Sequence, residues 1–180
     1  MKTALLIIDM QEALCFGDET AFEAERVIDR INTVSRKARE AGLPVVLIQH
    51  EEEEGALQFD SEGWQLARGL ASADSDLRVR KTTPDSFHLT PLQALLEERG
   101  VTDVVICGLQ SDFCVDTTTR RALGLGYPVV LVKDGHSTVD NGLLKAAQIS
   151  AHHALTLSNI GSFGVRVKLL PAGEVTFASA

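Results

Sequence analysis

Three side chains far apart in the chain have the types needed for acyl transfer: Asp9, Lys81 and Cys114. Cys114 lies in the stretch TDVVICGLQSDFCVDTTTRRALGLG, residues 102–126, where an apolar run gives way to a helical pattern opening at about Cys114. A thiol on the first turn of a helix faces unpaired backbone N–H groups and the positive end of the helix dipole, both of which favour an anion. That setting predicts a cysteine that ionises near neutral pH and acts as a nucleophile. Asp9 closes the apolar run ALLII at 4–8, and Lys81 follows Leu77-Arg78-Val79-Arg80. Brought together, the thiol attacks a carbonyl carbon while Asp9 takes its proton, passes it to the leaving group and then orients water. Lys81 holds both partners in their charged forms. The helix-start N–H groups, with Gly108 and Gln110 on the turn before them, supply a site for the oxyanion.

Each residue also has a plainer role. A cysteine at a helix start is commonly a packed small hydrophobe, an aspartate ending a strand a cap or turn residue, and a lone lysine a solvated charge. Cys15 and Cys107 read as structural, with Cys15 near enough to Asp9 in sequence to line the mouth of a site. His50 follows a strand as a metal ligand would, but no second histidine at ligand spacing accompanies it. His152 and His153 read as packing residues, and the Glu51–Glu54 run as a solvated loop or a lure for basic substrates. The glycines at 124 and 126 end a helix and open none, so they make no dinucleotide fingerprint.

The elements that must position these groups follow from periodicity. Continuous apolar runs at 4–8, 43–48, 104–107 and 127–132 predict strands covered on both faces. Apolar residues at three- and four-residue spacing predict helices over 19–41, 90–99 (Thr90 capping, Pro91 first), 114–125 and 141–155. A short strand at 76–80 delivers Lys81, and EVTF at 174–177 is expected as the last strand. Residues 49–73 are polar and irregular, a length that in a compact domain usually serves function. The alternation predicts a single α/β domain over residues 1–180, with a mostly parallel sheet and helices on both faces. Ligands in such sheets collect at the carboxyl ends of strands, where Asp9, Gln49, His50, the segment from Gln110 to Cys114, and Asp134 all fall.

Composition narrows the function classes. The chain has 180 residues, 44% of them hydrophobic and 23% charged, as in ordinary water-soluble domains. A net charge of −8 opposes nucleic acid or an anionic membrane as partner. The apolar run after Lys2 is cut short by Asp9, before it reaches the length of a signal-peptide core, so a cytoplasmic protein is expected. No apolar run approaches the ~20 residues of a membrane span. Three cysteines without a C-x-x-C pair fit reduced thiols.

Four segments together carry a resemblance: LLIIDMQ at 5–11, KTTPDSFHLTPL at 81–92, VVICGLQSDFCVDTTTRRALGLGY at 104–127 and VVLVKDGHST at 129–138. Across nearly its full length the chain resembles the isochorismatase-like cysteine hydrolases. The resemblance implies a three-layer Rossmann-like sandwich of about six strands, usually in homodimers or larger homo-oligomers. It implies a catalytic triad of Asp9, Lys81 and Cys114. It also implies a non-proline cis peptide at Leu109–Gln110, aiming the backbone N–H groups of Gln110 and Cys114 at the oxyanion. The nicotinamidases of this superfamily bind a metal through Asp-x-His and a further histidine. Ile48-Gln49-His50 lacks that aspartate, so neither a metal nor any cofactor is expected. Vinyl-ether-cleaving members need no cysteine nucleophile, so Cys114 argues against their chemistry. The IQH…GW…DSF and GLQSDFCVDTT segments are similar to those of short, streptothricin-hydrolase-like members. They imply hydrolysis of a C–N bond in a small amide, lactam or carbamoyl compound, contacted by Gln11, Phe16, Trp64, Gln110 and Phe113. Two rival expectations stand beside this one: a non-catalytic small-molecule-binding or scaffold protein, and a redox-responsive thiol protein pairing Cys114 with Cys15.

Overall fold

The computed structural model describes residues 2–178. In chain order the elements are β1 (Thr3–Ile8), α1 (Glu12–Phe16), α2 (Ala24–Glu40), β2 (Val45–His50), β3 (Leu77–Lys81), α3 (Leu92–Glu98), β4 (Asp103–Leu109), α4 (Cys114–Gly124), β5 (Val129–Ser137), α5 (Ala146–Ser158) and β6 (Val167–Leu170). The six strands form one sheet in the order β3-β2-β1-β4-β5-β6, and every neighbouring pair is parallel. The chain therefore starts in the middle, winds outward to β3, and restarts from β4 on the other side of β1. The cleft between β1 and β4 is the switch point at which such sheets bind ligands.

Burial explains why apolar runs serve as strands here. Alternate side chains of one strand enter opposite layers. Ala4, Leu6 and Ile8 pack with Val104, Ile106 and the α3, α4 and α5 residues Leu92, Leu96, Val115, Ala122 and Leu157. Leu5 and Ile7 pack on the other face with Val105, Cys107 and the α2 residues Val27, Ile28, Ile31 and Val34. The result is the three-layer α/β sandwich expected.

Several boundaries differ from the periodicity. Residues 12–16 form a separate helix, and α2 begins only at Ala24. Gly17 ends α1 at a place where a Cβ would lie 2.3 Å from the Ala13 carbonyl oxygen. The glycine at 108 does not break β4 but lies within it, at φ +119°, because a Cβ there would lie 2.0 Å from the carbonyl oxygen of Ile8. The last strand is Val167–Leu170, not 174–177. In the 174–177 segment Val175 is buried against the α2 face, and Lys37 Nζ donates to the carbonyls of Ala172, Gly173 and Val175 at 2.9–3.1 Å. An ammonium thus takes the Val175 carbonyl, along with two just before the segment, in place of a strand partner.

Candidate active site

The carboxyl ends of β1, β2 and β3, together with the start of α4, meet at the switch point. Asp9 directly follows β1, with its backbone N–H on the carbonyl of Ile48 at 2.8 Å and φ at +51°. Lys81 is the last residue of β3, paired in register with His50 at the end of β2. Cys114 is the first residue of α4. Asp9 and Lys81 are almost completely buried.

Their contacts converge on one ammonium. Lys81 Nζ donates to Asp9 Oδ2 at 2.7 Å and to Cys114 Sγ at 3.3 Å, and a third neighbour, His50 Nδ1, stands at 3.3 Å. Asp9 Oδ1 is buried and has no hydrogen-bond partner, which leaves one carboxylate oxygen uncommitted. The peptide bond Leu109–Gln110 is cis. Among the described residues no protein acceptor takes the backbone N–H of Gln110 or of Cys114.

The thiol departs from the expectation of a ready anion. Its pKa is pushed up to about 12, first by burial and next by the negative charge of Asp9, with Lys81 pulling the other way. Burial outweighs the helix start and pulls the sulfur toward its protonated form. Cys15 and Cys107 are raised too, mainly by burial. All three cysteines are free. Cys15 is wholly buried in the layer containing α2, whereas Cys114 packs against the layer on the opposite face of the sheet. That separation counts against a Cys15–Cys114 redox pair, and Cys15 does not line the mouth.

A cavity of about 260 Å³ holds the sulfur, lined by Asp9, Leu14, His50, Glu52, Leu57, Pro84, Gln110, Phe113 and Cys114. It shares Leu14, Glu52, Leu57 and Gln110 with an outer cavity of about 600 Å³. The outer walls carry Glu12, Asp18, Glu19, Glu52 and Glu62 against a single cation, Arg68. Arg68 is itself ion-paired with Glu12 and lies 3.6 Å over the Phe16 ring.

The residues expected to touch substrate separate into two groups. Phe113 and Gln110 line the inner cavity, and Phe16 lines the outer one. Gln11 and Trp64 line neither. Gln11 is fully buried; its amide nitrogen donates to the carbonyls of His50 and Trp64, and its oxygen accepts the His50 N–H at 2.8 Å. It clamps the loop after β2, a task that satisfies a buried amide completely. Trp64 packs edge-on against Phe59 at 4.9 Å. Asp134 also lies elsewhere, on β5, where it accepts hydrogen bonds from Arg30 and from the Ala172 N–H.

Sequence reasoning passed over two supports. The Ser86 N–H and hydroxyl both meet Thr118 Oγ1, at 3.1 and 2.8 Å, tying the segment after Lys81 to α4 so that ammonium and sulfur keep their spacing. His50 reads from the sequence as a strand-end residue or a metal ligand; its register opposite Lys81 is the signal that it belongs to the ammonium. Among the described residues no three His, Cys, Asp or Glu side chains converge as a ligand set for a metal ion.

Comparison with known proteins bears on the family and the fold. The family model for the isochorismatase domain matches residues 3–157. The chain belongs to the isochorismatase family. Two streptothricin hydrolases of Streptomyces noursei are similar to it. One is 42% identical over 138 residues, covering 76% of this chain and 50% of that protein. The other is 37% identical over 182 residues, covering 98% of this chain and 71% of that protein. This family member thus spans about half the length of the first and under three quarters of the second. A solved isochorismatase family protein superposes with a TM-score of 0.85 at 38% identity, covering 93% of this chain and 97% of the other. Among the described residues no helix is long and apolar enough to cross a membrane.

Proposed function

We propose that this protein is a metal-independent cysteine hydrolase that cleaves a C–N bond in a small amide, lactam or carbamoyl compound. The observation that carries the reading is the single buried ammonium bonded to both a carboxylate and a thiol that line one cavity, beside a carboxylate oxygen with no partner. Cys114 Sγ bonds to the carbonyl carbon as its proton passes to Asp9. Generating the anion only during attack suits a thiol held neutral at rest. The carbonyl oxygen becomes an oxyanion facing the N–H groups of Gln110 and Cys114. Asp9 then returns the proton to the departing nitrogen, the C–N bond breaks, and an acyl thioester remains on Cys114. Asp9 next deprotonates a water that attacks the thioester. Collapse of the second tetrahedral intermediate releases the acid and restores the thiol. Lys81 stays charged throughout and offsets the negative charge shuttling between sulfur and carboxylate.

The two cavities suggest how a substrate sits. The inner one accommodates the reacting group; the outer one takes the remainder of a larger molecule. Its carboxylate-rich walls favour a substrate bearing positive charge. The resemblance to the family further supports a homodimer or larger homo-oligomer in solution.

A panel of small amides, lactams and carbamoyl compounds tests the proposal, with both neutral and cationic members. Turnover and a mass adduct on Cys114, both lost in Cys114→Ala, are expected for at least one class. Tight binding of a panel member without adduct or turnover would instead support the non-catalytic binding reading.

A further inference from the structure

The Lys81 ammonium has three N–H bonds and three neighbours, and only two of them, Asp9 and Cys114, have a part in the reaction proposed above. The third is His50, whose Nδ1 lies 3.3 Å from Nζ. We propose that His50 is the positioning residue for Lys81: as a neutral ring it accepts the third N–H and fixes where the ammonium sits between carboxylate and sulfur. The inference rests on the reading of Asp9, Lys81 and Cys114 as the reacting group.

The ring is built to do this. His50 ends β2 directly opposite Lys81. Its backbone N–H and carbonyl are both taken by the amide of Gln11, at 2.8 and 2.9 Å, so the base of the side chain is held fixed. An ammonium only donates, so Nδ1 must present its lone pair, and the ring proton is thereby assigned to Nε2. Nε2 faces Glu52 Oε1 at 3.9 Å, beyond hydrogen-bond length, on the wall of the inner cavity. The charged groups facing the ring are Lys81 from β3, Asp9 after β1, and Glu51 and Glu52 after β2. Burial and the adjacent ammonium hold its pKa below the ordinary histidine value, against the opposing pull of the three carboxylates. A protonated His50 would place two cations side by side and remove the acceptor, so the neutral ring is the one that fits.

With all three N–H bonds engaged, Nζ is held among three acceptors. Without the imidazole, two acceptors remain, and the ammonium can turn away from the sulfur, which is the weaker of them. The sulfur then loses the cation that favours its ionised form.

Alkylation of Cys114 by iodoacetamide, followed by intact mass from pH 5 to 10, tests the inference without any substrate. Cys114→Ser serves as the blank. In His50→Ala the Cys114 rate at pH 8 should fall about fivefold to tenfold and the profile should move to higher pH. In His50→Asn, whose amide oxygen can accept from Lys81, the rate should return to within about threefold of the parent. Superimposable profiles for the parent and His50→Ala would overturn the inference, as would an asparagine variant as slow as the alanine one. Should His50→Ala fail to fold, nitrogen-15 spectra of the unaltered protein decide: Nε2–H is expected through neutral pH, and Nδ1–H or a charged ring overturns the assignment. A barren substrate panel with His50-dependent alkylation would sink the proposed reaction and leave this inference standing.

Discussion

Asp9→Asn separates two duties of one carboxylate, electrostatic brake and proton carrier. The Cys114 thiol is held up at about 12, with the charge of Asp9 second only to burial among the causes. At neutral pH that leaves the thiolate a minor species. Asparagine keeps the shape of the side chain and removes its charge, while the ammonium remains 3.3 Å from the sulfur. An unopposed cation at such range lowers the pKa of an acid by about 1–3 units. The thiolate population at neutral pH should therefore rise at least about tenfold, and iodoacetamide labelling of Cys114 with it. Hydrolysis should move the other way, falling by about 10²–10⁴-fold, because nothing carries the proton to the leaving nitrogen. The variant also leaves Lys81 buried without its counter-ion, a change that costs up to about 3–5 kcal/mol. The asparagine carbonyl, still able to accept from Nζ, keeps the loss toward the low end, which a urea melt will report. Labelling and hydrolysis measured side by side are the assay. If labelling slows in step with hydrolysis, Asp9 is no brake on the thiol and the reasoning fails.

Other perturbations follow from the same structure. Folded-state thiol pKa values raised above the ordinary 9.0 imply stability that is complete below about pH 9 and is lost as the pH climbs toward 12, because the unfolded chain releases protons that the folded one keeps. Each such thiol contributes a slope of about 1.4 kcal/mol per pH unit. Cys114→Ser should remove about a third of the thiol-derived slope in urea melts between pH 9 and 11, and an unchanged slope would count against it. Gly108→Ala forces a Cβ to within 2.0 Å of the Ile8 carbonyl oxygen at a φ of +119°. It should cost at least about 3 kcal/mol, read as a lowered melting temperature or insoluble protein. For the acidic mouth, a cationic substrate should show a KM several-fold below that of an anionic isostere. The gap should shrink with added salt and with Glu52→Gln or Glu62→Gln; salt-independent KM values would refute this.

How far the sequence disclosed this molecule depended on how local each cause was. Strands buried on both faces must be apolar throughout, so ALLII and VVIC announced the centre of the sheet without help. Asp9 was visible because it follows such a run, and Cys114 because it follows a turn, whereas Lys81 ends the alternating strand LRVRK and stood out through the resemblance. The five residues of α1 span little more than one turn, too few for a period to show. The 174–177 segment has strand composition, but a lysine 135 or more residues earlier takes its neighbouring carbonyls. The upward pull of burial on the Cys114 thiol was not visible in the chain, because burial is set by the packed molecule, while the helix start is written in the sequence. Gln11 and Trp64 look like pocket residues by type; only the folded loop shows one spent on backbone groups and the other on Phe59.

The groups proposed to react stand on strand ends and a helix start, whereas much of the cavity wall comes from the stretch between β2 and β3. That stretch is joined to the body by one bridge, Gln11 to Leu66, and by backbone hydrogen bonds from Glu12 to Gln65, Ala13 to Gly63, Ala67 to Met10 and Glu51 to Lys81. Side-chain ties add to these, and none of the joints runs through Cys114. Appetite and reactivity are thus housed in separable parts. The intervening residues can be rewritten, lengthened or exchanged with those of a relative, and the sheet will go on presenting the same sulfur to whatever the new walls admit.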